Sequence, residues 1–407
     1  MATAALHHCS LSSSFLESIQ NEMNISNYVE HLFHYALTHQ VCDIHIEPCV
    51  NAYRIRLRID GVLHSLCSEQ KEKGIKICTH LKVLAKLNIA EQRRPQDGRA
   101  QFNHATGSLE LRINSLPTVH GEKIVMRLQS RQHQRLGLEH LGFNPKQLQQ
   151  MQYALAKPQG LILITGPTGS GKTVSLYSAL SYLNHSTKNL STGEDPVEIS
   201  LDGINQVHVN AQIDFSFASA LRALLRQDPD ILMIGEIRDL ETADVALKAA
   251  QTGHLVLSSL HTSSAWAAIS RLLQLGIHRT PLVQSLELIV AQRLLRKLCV
   301  HCKQPDSNAH QKLARLQLAY KDTYRFYRAQ GCALCHSGYQ GRIAIYDMMP
   351  MTSALQYNLI HAQSCDDAQT THTSCEPLLK AAIEKVKQGL TSFEEIFRVL
   401  APPFDDK

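Results

Sequence analysis

Residues 166–173 read Gly166-Pro167-Thr168-Gly169-Ser170-Gly171-Lys172-Thr173, a G-x-x-x-x-G-K-T run. It follows the short apolar stretch Leu161-Ile-Leu-Ile-Thr165 and precedes an amphipathic helix, the strand, loop, helix context that a phosphate-binding loop requires. Such glycines let backbone N–H groups converge on phosphate oxygens, and the helix N-terminus adds its positive end. In this pattern Lys172 reaches the β and γ phosphates of a nucleotide and Thr173 ligates Mg²⁺.

Phosphoryl chemistry at such a loop needs a carboxylate near the metal and another group to orient water. Ile231-Leu-Met-Ile234 is a second apolar strand, and it ends in Gly235-Glu236. A further acidic cluster, Glu194-Asp-Pro-Val-Glu198, follows the short stretch ending Leu190-Ser-Thr192. Beside a phosphate loop either Glu194 or Glu236 qualifies as the base, and sequence leaves both open. His254 and His261 flank the apolar run 255–260 and are expected to act as sensors that hydrogen-bond the γ-phosphate or the water.

Cys299-x-x-Cys302 and Cys332-x-x-Cys335 have the spacing of a tetrahedral structural zinc site, closed to substrate. The other seven cysteines (Cys9, Cys42, Cys49, Cys67, Cys78, Cys365 and Cys375) show no ligand pattern. They read as small core or surface residues. An odd total of 11 without a secretory leader argues against a disulfide framework.

These groups must be positioned by a chain of 407 residues, ample for two or three domains. Apolar content of 44% and charged content of 19% exclude disordered and collagen-like classes. No apolar run approaches a membrane span of about 20 residues, so a cytoplasmic location is expected. The net charge of +5 hides an asymmetry. Residues 1–53 carry five acids and no Lys or Arg, whereas 54–135 hold sixteen basic against seven acidic residues. The remaining 25 basic and 24 acidic residues nearly cancel. The basic block has a single aromatic, Phe102, so it offers no stacking platform for nucleic acid.

Residues 1–20 read as a disordered leader. Helical spacing from Ile25 to Leu37 leads into a strand at Asp43-Ile-His-Ile-Glu47. Tyr53, Ile55, Leu57 and Ile59 then alternate with Arg54, Arg56, Arg58 and Asp60, a period-two strand closed by a turn at Asp60-Gly61. A helix near 74–88, the turn-rich 93–99 and strands near 109–114 and 123–129 complete a small α+β domain over 21–135. A polar, Gln-rich linker is expected over 136–155, then an α/β core over 156–298, a separate tetracysteine element over 299–340 and a helical region over 341–407.

Leu221-Arg-Ala-Leu-Leu-Arg-Gln-Asp-Pro-Asp-Ile-Leu-Met-Ile-Gly-Glu-Ile-Arg-Asp239 resembles the signature of the type II secretion and type IV pilus assembly ATPases. Asp43–Pro48, Arg56–Gly61, Pro95–Arg99, Leu116–Lys123, Glu194–Glu198, Gly253–Thr262 and Gly338–Arg342 resemble that family's other motifs. The resemblance implies a RecA-like P-loop domain preceded by the small α+β domain, with nucleotide held between them in a homo-hexamer. It implies an ATP-hydrolysing motor with Mg²⁺ and structural Zn²⁺, working against an integral inner-membrane platform protein and peripheral to that membrane. Glu194 would activate water, Glu236 would complete the metal site, and Arg56, Arg58, Arg222 and Arg226 would approach nucleotide or a subunit interface. The tetracysteine element resembles that of assembly motors and is generally lacking in retraction motors. No direct nucleic-acid partner is expected. Relatives commonly carry a further N-terminal docking domain, for which the residues before Asp43 are too few.

Overall fold

The structure, a computed structural model, describes residues 24–104, 107–130, 137–316, 325–361 and 377–400. The leader expected over 1–20 lies outside them. The described residues form two compact units. One holds those preceding Gln134 together with Cys299–Lys303 and Ala329–Gly341, and the other those of Gln134–Leu298, Gln304–Arg328 and Arg342–Lys407.

The first unit starts with helix α1 (Ile25–Thr38), capped by Asn24, whose side chain accepts from the Ser26 N–H. Its apolar stripe, Tyr28, Val29, Leu32, Phe33 and Ala36, is buried, as the helical spacing dictates. Strands β1 (Asp43–Pro48), β2 (Ala52–Ile59) and β3 (Val62–Gln70) are followed by helix α2 (Lys71–Leu84) and strands β4 (Gln96–His104), β5 (Gly107–Thr118) and β6 (Gly121–Ser130). They make one antiparallel sheet in the order β3-β2-β1-β6-β5-β4. Asp60 and Gly61 both take positive φ (48° and 81°), which suits a two-residue hairpin turn. The turn-rich stretch 93–99 instead runs into β4. That strand's half-buried positions are Gln96, Gly98, Ala100, Phe102 and His104, of which only Phe102 is large and apolar, so its period-two signal is weak and pairing with β5 supplies the order.

The second unit begins with helix α3 (Pro145–Leu155), where a linker was expected. Asn144 and Gln147 form a reciprocal capping box, Pro145 opens the helix, and Met151, Ala154 and Leu155 are buried. Glutamines that look like linker composition thus cap and anchor a helix; Gln147 also donates to the Tyr346 carbonyl at 3.1 Å. Strands β7 (Gly160–Thr165), β8 (Leu190–Glu194), β9 (Asn205–His208), β10 (Ile231–Ile234), β11 (Leu255–Leu260) and β12 (Leu286–Leu298) alternate with helices α4 (Lys172–Leu183), α5 (Phe217–Leu224), α6 (Leu240–Gln251), α7 (Ala265–Gln274) and α8 (Arg279–Ser285). Beyond β12 come the short strand β13 (Gln304–Pro305), helix α9 (Ala309–Arg315), the short strand β14 (Tyr327–Arg328), β15 (Tyr339–Pro350) and helices α10 (Ser353–His361), α11 (Pro377–Lys387) and α12 (Phe393–Leu400).

The main sheet runs β15-β12-β7-β11-β10-β8-β9. The pairings β12·β7, β7·β11, β11·β10, β10·β8 and β8·β9 are parallel. Strands β7, β8, β10 and β11 are buried at every position, which explains the short continuous apolar runs of β7 and β10. This is the α/β P-loop architecture. The segment 299–340, expected as a separate element, is no third compact unit: its cysteine-bearing pieces belong to the first unit and 304–328 to the second.

Candidate functional site

In a parallel sheet the loops after the strands gather at one edge, the usual place for a ligand. Register puts Leu260 of β11 opposite Thr165 of β7, and Ile234 of β10 opposite Gly193 of β8. Gly166–Gly171, Glu194, Glu236 and His261 therefore leave their strands at this edge.

Gly171 caps α4 with φ 89°, a left-handed conformation that turns the chain into the helix without a Cβ penalty. Pro167, Thr168 and Gly169 are exposed, as is Thr173, whereas Ser170 and Lys172 are buried. Lys172 Nζ donates to the Gly166 and Pro167 carbonyls (2.7 and 3.2 Å). Burial lowers its pKa; the nearby Glu236 opposes this and Arg293 adds to it, leaving about 8. Ser170 Oγ is buried without a hydrogen-bond partner. A desolvated ammonium and an orphaned hydroxyl in one loop fit an anionic ligand with oxygen acceptors.

Glu194 is only 4% exposed. It accepts from Tyr177 Oη, from Thr192 Oγ1 at 2.6 Å and from Gln206 Nε2 at 3.0 Å. Tyr177 Oη in turn accepts the Glu198 N–H at 3.0 Å, so its proton is directed at Glu194. Burial and the adjacent carboxylate both raise the Tyr177 pKa, keeping that proton in place.

Glu236 pairs with Arg238 and with His261 Nε2, the latter at 3.1 Å. Burial would raise its pKa, but Arg238 and His261 together outweigh burial and hold it below the ordinary value. His254 stands at the other end of β11. Its carbonyl accepts from Gly160, the first residue of β7, and its ring contacts the Ala249 carbonyl at 3.1 Å. The six residues of β11 separate it from this edge by about 20 Å, so His254 cannot reach a phosphate on the loop of its own chain. The expectation of two sensors is corrected to one candidate, because a strand has two ends and the phosphate loop lies at only one.

Three of the four expected arginines, Arg56, Arg58 and Arg222, are paired with acids of their own units. Alternate residues Asp43, His45 and Glu47 of β1 face Arg58, Arg56 and Arg54 of β2. Arg56 grips Glu47 with two 2.8 Å hydrogen bonds, and Arg54 and Lys123 reach the same carboxylate at 3.0 Å. Arg58 and Arg127 share Asp43 at 3.2 and 3.0 Å. Arg222, on α5, pairs with Glu241 at 2.7 Å, and Arg226 is exposed just beyond that helix.

Burial would raise the Glu47 pKa, but Arg56, Lys123 and Arg54 hold it at about 2. Since the unfolded carboxylate titrates near 4.5, the unfolded chain binds more protons as pH falls below that value. The stabilisation is whole above about pH 4.5 and is lost as pH falls toward 2. Glu47→Gln is expected to destabilise the protein by about 1–3 kcal/mol at neutral pH and to flatten stability against pH over that interval, as read by denaturant titration. An unchanged acid limb would show that Glu47 is not the responsible group.

Cys299, Cys302, Cys332 and Cys335 converge so that their sulfurs all lie within 4.8 Å of one another. The Cys299–Cys332, Cys302–Cys335 and Cys332–Cys335 sulfurs are 3.9, 3.6 and 3.7 Å apart. Tetrahedral Zn–S bonds of about 2.3 Å require S···S edges of about 3.8 Å. The donor set fits zinc, with the Gly331 and Cys332 N–H groups donating to sulfur at 3.3 Å.

The Type II/IV secretion system protein family matches residues 19–398. The chain belongs to this family. It is 42% identical over 390 residues to the type IV pilus assembly ATPase PilB of Acinetobacter baylyi, covering 94% of this chain and 67% of that protein. Over 371 residues it is 46% identical to the protein transport protein HofB homolog of Escherichia coli, covering 90% and 80%. The type II secretion system ATPase E of Vibrio cholerae is 42% identical over 367 residues, covering 89% and 73%. Among solved structures, the Legionella pneumophila ATPase DotB shares the fold with TM-score 0.69 at 18% identity, covering 93% of this chain and 96% of that one. The pilus retraction motor PilT with bound ADP gives TM-score 0.59 at 25% identity, covering 90% and 95%.

In this secretion-family chain several site residues carry no role in a reading by motif, even where a motif contains them. Tyr177 is an interior helix position, Arg238 follows Glu236 by two residues, and Thr262 bonds Thr165 at 2.6 Å across β11 and β7. Gln292 accepts from Ser175 Oγ at 2.8 Å, and Arg293 follows it on β12. The family signature contains Arg238, so that residue was within reach of sequence. Gln292 and Arg293 lie more than a hundred residues from the loop and are brought to it only by the β12·β7 pairing.

Proposed function

We propose that this chain is an ATP-hydrolysing motor that works as a homo-hexamer and drives assembly of pilin or pseudopilin subunits through an inner-membrane platform protein. One observation carries the reading: the buried Lys172 of a complete phosphate loop stands at the same sheet edge as Glu236 and His261. Strong similarity to assembly and secretion ATPases supports the machine class, and the tetracysteine cluster favours assembly over retraction. No helix of the described residues is long and apolar enough to cross a membrane, which suits peripheral attachment through a partner. The arginine row is largely occupied by Asp43 and Glu47, which weighs against a nucleic-acid surface there.

The two carboxylates divide the work by their surroundings. Glu236, its proton affinity depressed by Arg238 and His261, is a weak base and a good partner for the water shell of Mg²⁺. Thr173 would hold Mg²⁺ through its hydroxyl, and the ion would supply charge neutralisation at the phosphates. Glu194 keeps a lone pair after accepting from Tyr177, Thr192 and Gln206, and that oxygen orients the attacking water. Main-chain N–H groups of the loop and Lys172 spread the charge that develops on the γ-phosphoryl oxygens.

Glu194→Gln is expected to lower turnover by about 10²-fold with ATP affinity kept, whereas Glu236→Gln should weaken the Mg²⁺ dependence of ATP binding. Steady-state hydrolysis and nucleotide binding with and without Mg²⁺ decide it, and the reverse pattern would exchange the two roles. The reading as an assembly motor is tested by deleting the chain: filaments or pseudopilus-dependent secretion should be lost. Excess filaments that fail to retract would overturn it.

A further inference from the structure

Strand β12 flanks the phosphate loop on the side away from β11, with Ala291 opposite Thr165 and Gln292 and Arg293 just beyond. The approach is close: a Cβ on Gly166 would lie 2.5 Å from the Gln292 carbonyl oxygen. Arg293 turns across the edge of the sheet. Its Nη1 donates to the Gln292 carbonyl at 2.9 Å, and its Nη2 donates to the Ser263 carbonyl, just after β11, at 2.7 Å. The guanidinium is thereby fixed between the middle of β12 and the segment just after β11, and these bonds use two of its five N–H donors.

Its electrostatic position is costly as it stands. Burial disfavours the charge of Arg293 itself, and Arg293 helps depress the ammonium of Lys172. Glu236 acts on Lys172 from the other direction, yet that carboxylate is already held by Arg238 and His261. Two cations share a partly dry corner whose nearest acid is committed elsewhere. Like charges in such a place are stabilised by an anion bound between them.

We infer that Arg293 is a phosphate-binding residue of the same subunit, set to recognise the terminal phosphate of a nucleoside triphosphate over the diphosphate. The inference rests on the nucleotide-hydrolysis reading above. Its anchor at Ser263 places it toward His261 and Glu236, where the nucleotide-hydrolysis reading puts the terminal phosphoryl group, and its planar fork suits paired phosphate oxygens.

Affinities of the full chain for MgATP and MgADP, measured by calorimetric titration for wild type, Arg293→Gln and Arg293→Lys, test this. Arg293→Gln is expected to lose roughly 10- to 100-fold in MgATP affinity and much less for MgADP, with Arg293→Lys recovering part of the loss. An equal loss for both nucleotides would make Arg293 a brace for the Ser263 and Gln292 carbonyls only, and unchanged affinities would remove it from the site; either overturns the inference. A measurement on wild type guards against a misfolded variant. Modification of Arg293 by phenylglyoxal, mapped by mass spectrometry, should be blocked by MgATP far more than by MgADP, and equal protection would also overturn it. Failure of wild type to bind either nucleotide would instead sink the phosphate-loop reading beneath it.

Discussion

Replacing Lys172 with alanine is expected to cut ATP turnover by on the order of 10²- to 10³-fold and to leave the fold intact or slightly more stable. The two halves of this expectation have one cause. Lys172 is buried, and burial together with Arg293 overcomes the pull of Glu236 to leave its pKa at about 8 against an ordinary 10.5. Holding it protonated at neutral pH therefore costs the nucleotide-free protein a few kcal/mol, roughly 1.4 for each pKa unit. The sign follows from linkage. Between about pH 8 and 10.5 the unfolded chain still carries the proton and the folded chain has released it, so stability of the nucleotide-free protein rises with pH there. Below about pH 8 both states are protonated and the cost is fully present. Nucleotide phosphates offset it by pairing with the ammonium, so MgATP affinity should fall as pH rises through about 8. In Lys172→Ala that dependence should vanish along with turnover. Coupled-enzyme hydrolysis, thermal melting and binding titrations from pH 7 to 9.5 check each part. Wild-type turnover in the variant would remove the phosphate loop from the chemistry.

Loss of the metal from the tetracysteine site is the second large effect. The protein is expected to carry one zinc per chain, and its removal by chelation or Cys335→Ser should lower the melting temperature markedly and leave the thiols of the cluster reactive, four after chelation and three in the variant. Structural zinc contributes on the order of 10 kcal/mol to folding small isolated domains, an upper bound here because neighbouring packing also holds the segment. That packing is specific. Gly341 N–H donates to Asp60 Oδ2 at 2.8 Å, and the His336 ring lies 5.6 and 5.8 Å from those of His39 and His64. Chelation should therefore raise hydrogen exchange at the Asp60-Gly61 turn and the end of α1 as well as at the cysteines. Metal analysis showing no zinc, or a chelated protein that melts like the untreated one, would show that the four sulfurs are not a structural metal site.

The two sites differ in how much of them the linear chain discloses. The phosphate loop is legible because its chemistry is local: eight consecutive residues build a cradle from their own backbone, so type and spacing suffice. The cysteine pairs are legible for a similar reason, since ligands with two residues between them in each pair restrict the metal geometry strongly. What the chain order conceals is which distant groups converge. Its acidic start and basic second block look like separate charges seeking outside partners. In the sheet they are partly one ionic ladder, because β1 and β2 run antiparallel and put Asp43 and Glu47 opposite Arg58 and Arg54.

Sequence alone determined the strand, loop, helix cradle, the two cysteine pairs, the amphipathic helix α1, the arginine row of β2 and the family to which the motifs point. Tertiary structure alone decided which end of each strand faces the phosphate loop. That choice separated His261 from His254, set Glu236 between Arg238 and His261, closed Glu194 within bonds from Tyr177, Thr192 and Gln206, and carried Arg293 to the loop. The physical reason is range. Periodicity and turn chemistry act over a few residues, whereas burial, register and pairing of charge are set by strands up to a hundred residues or more apart.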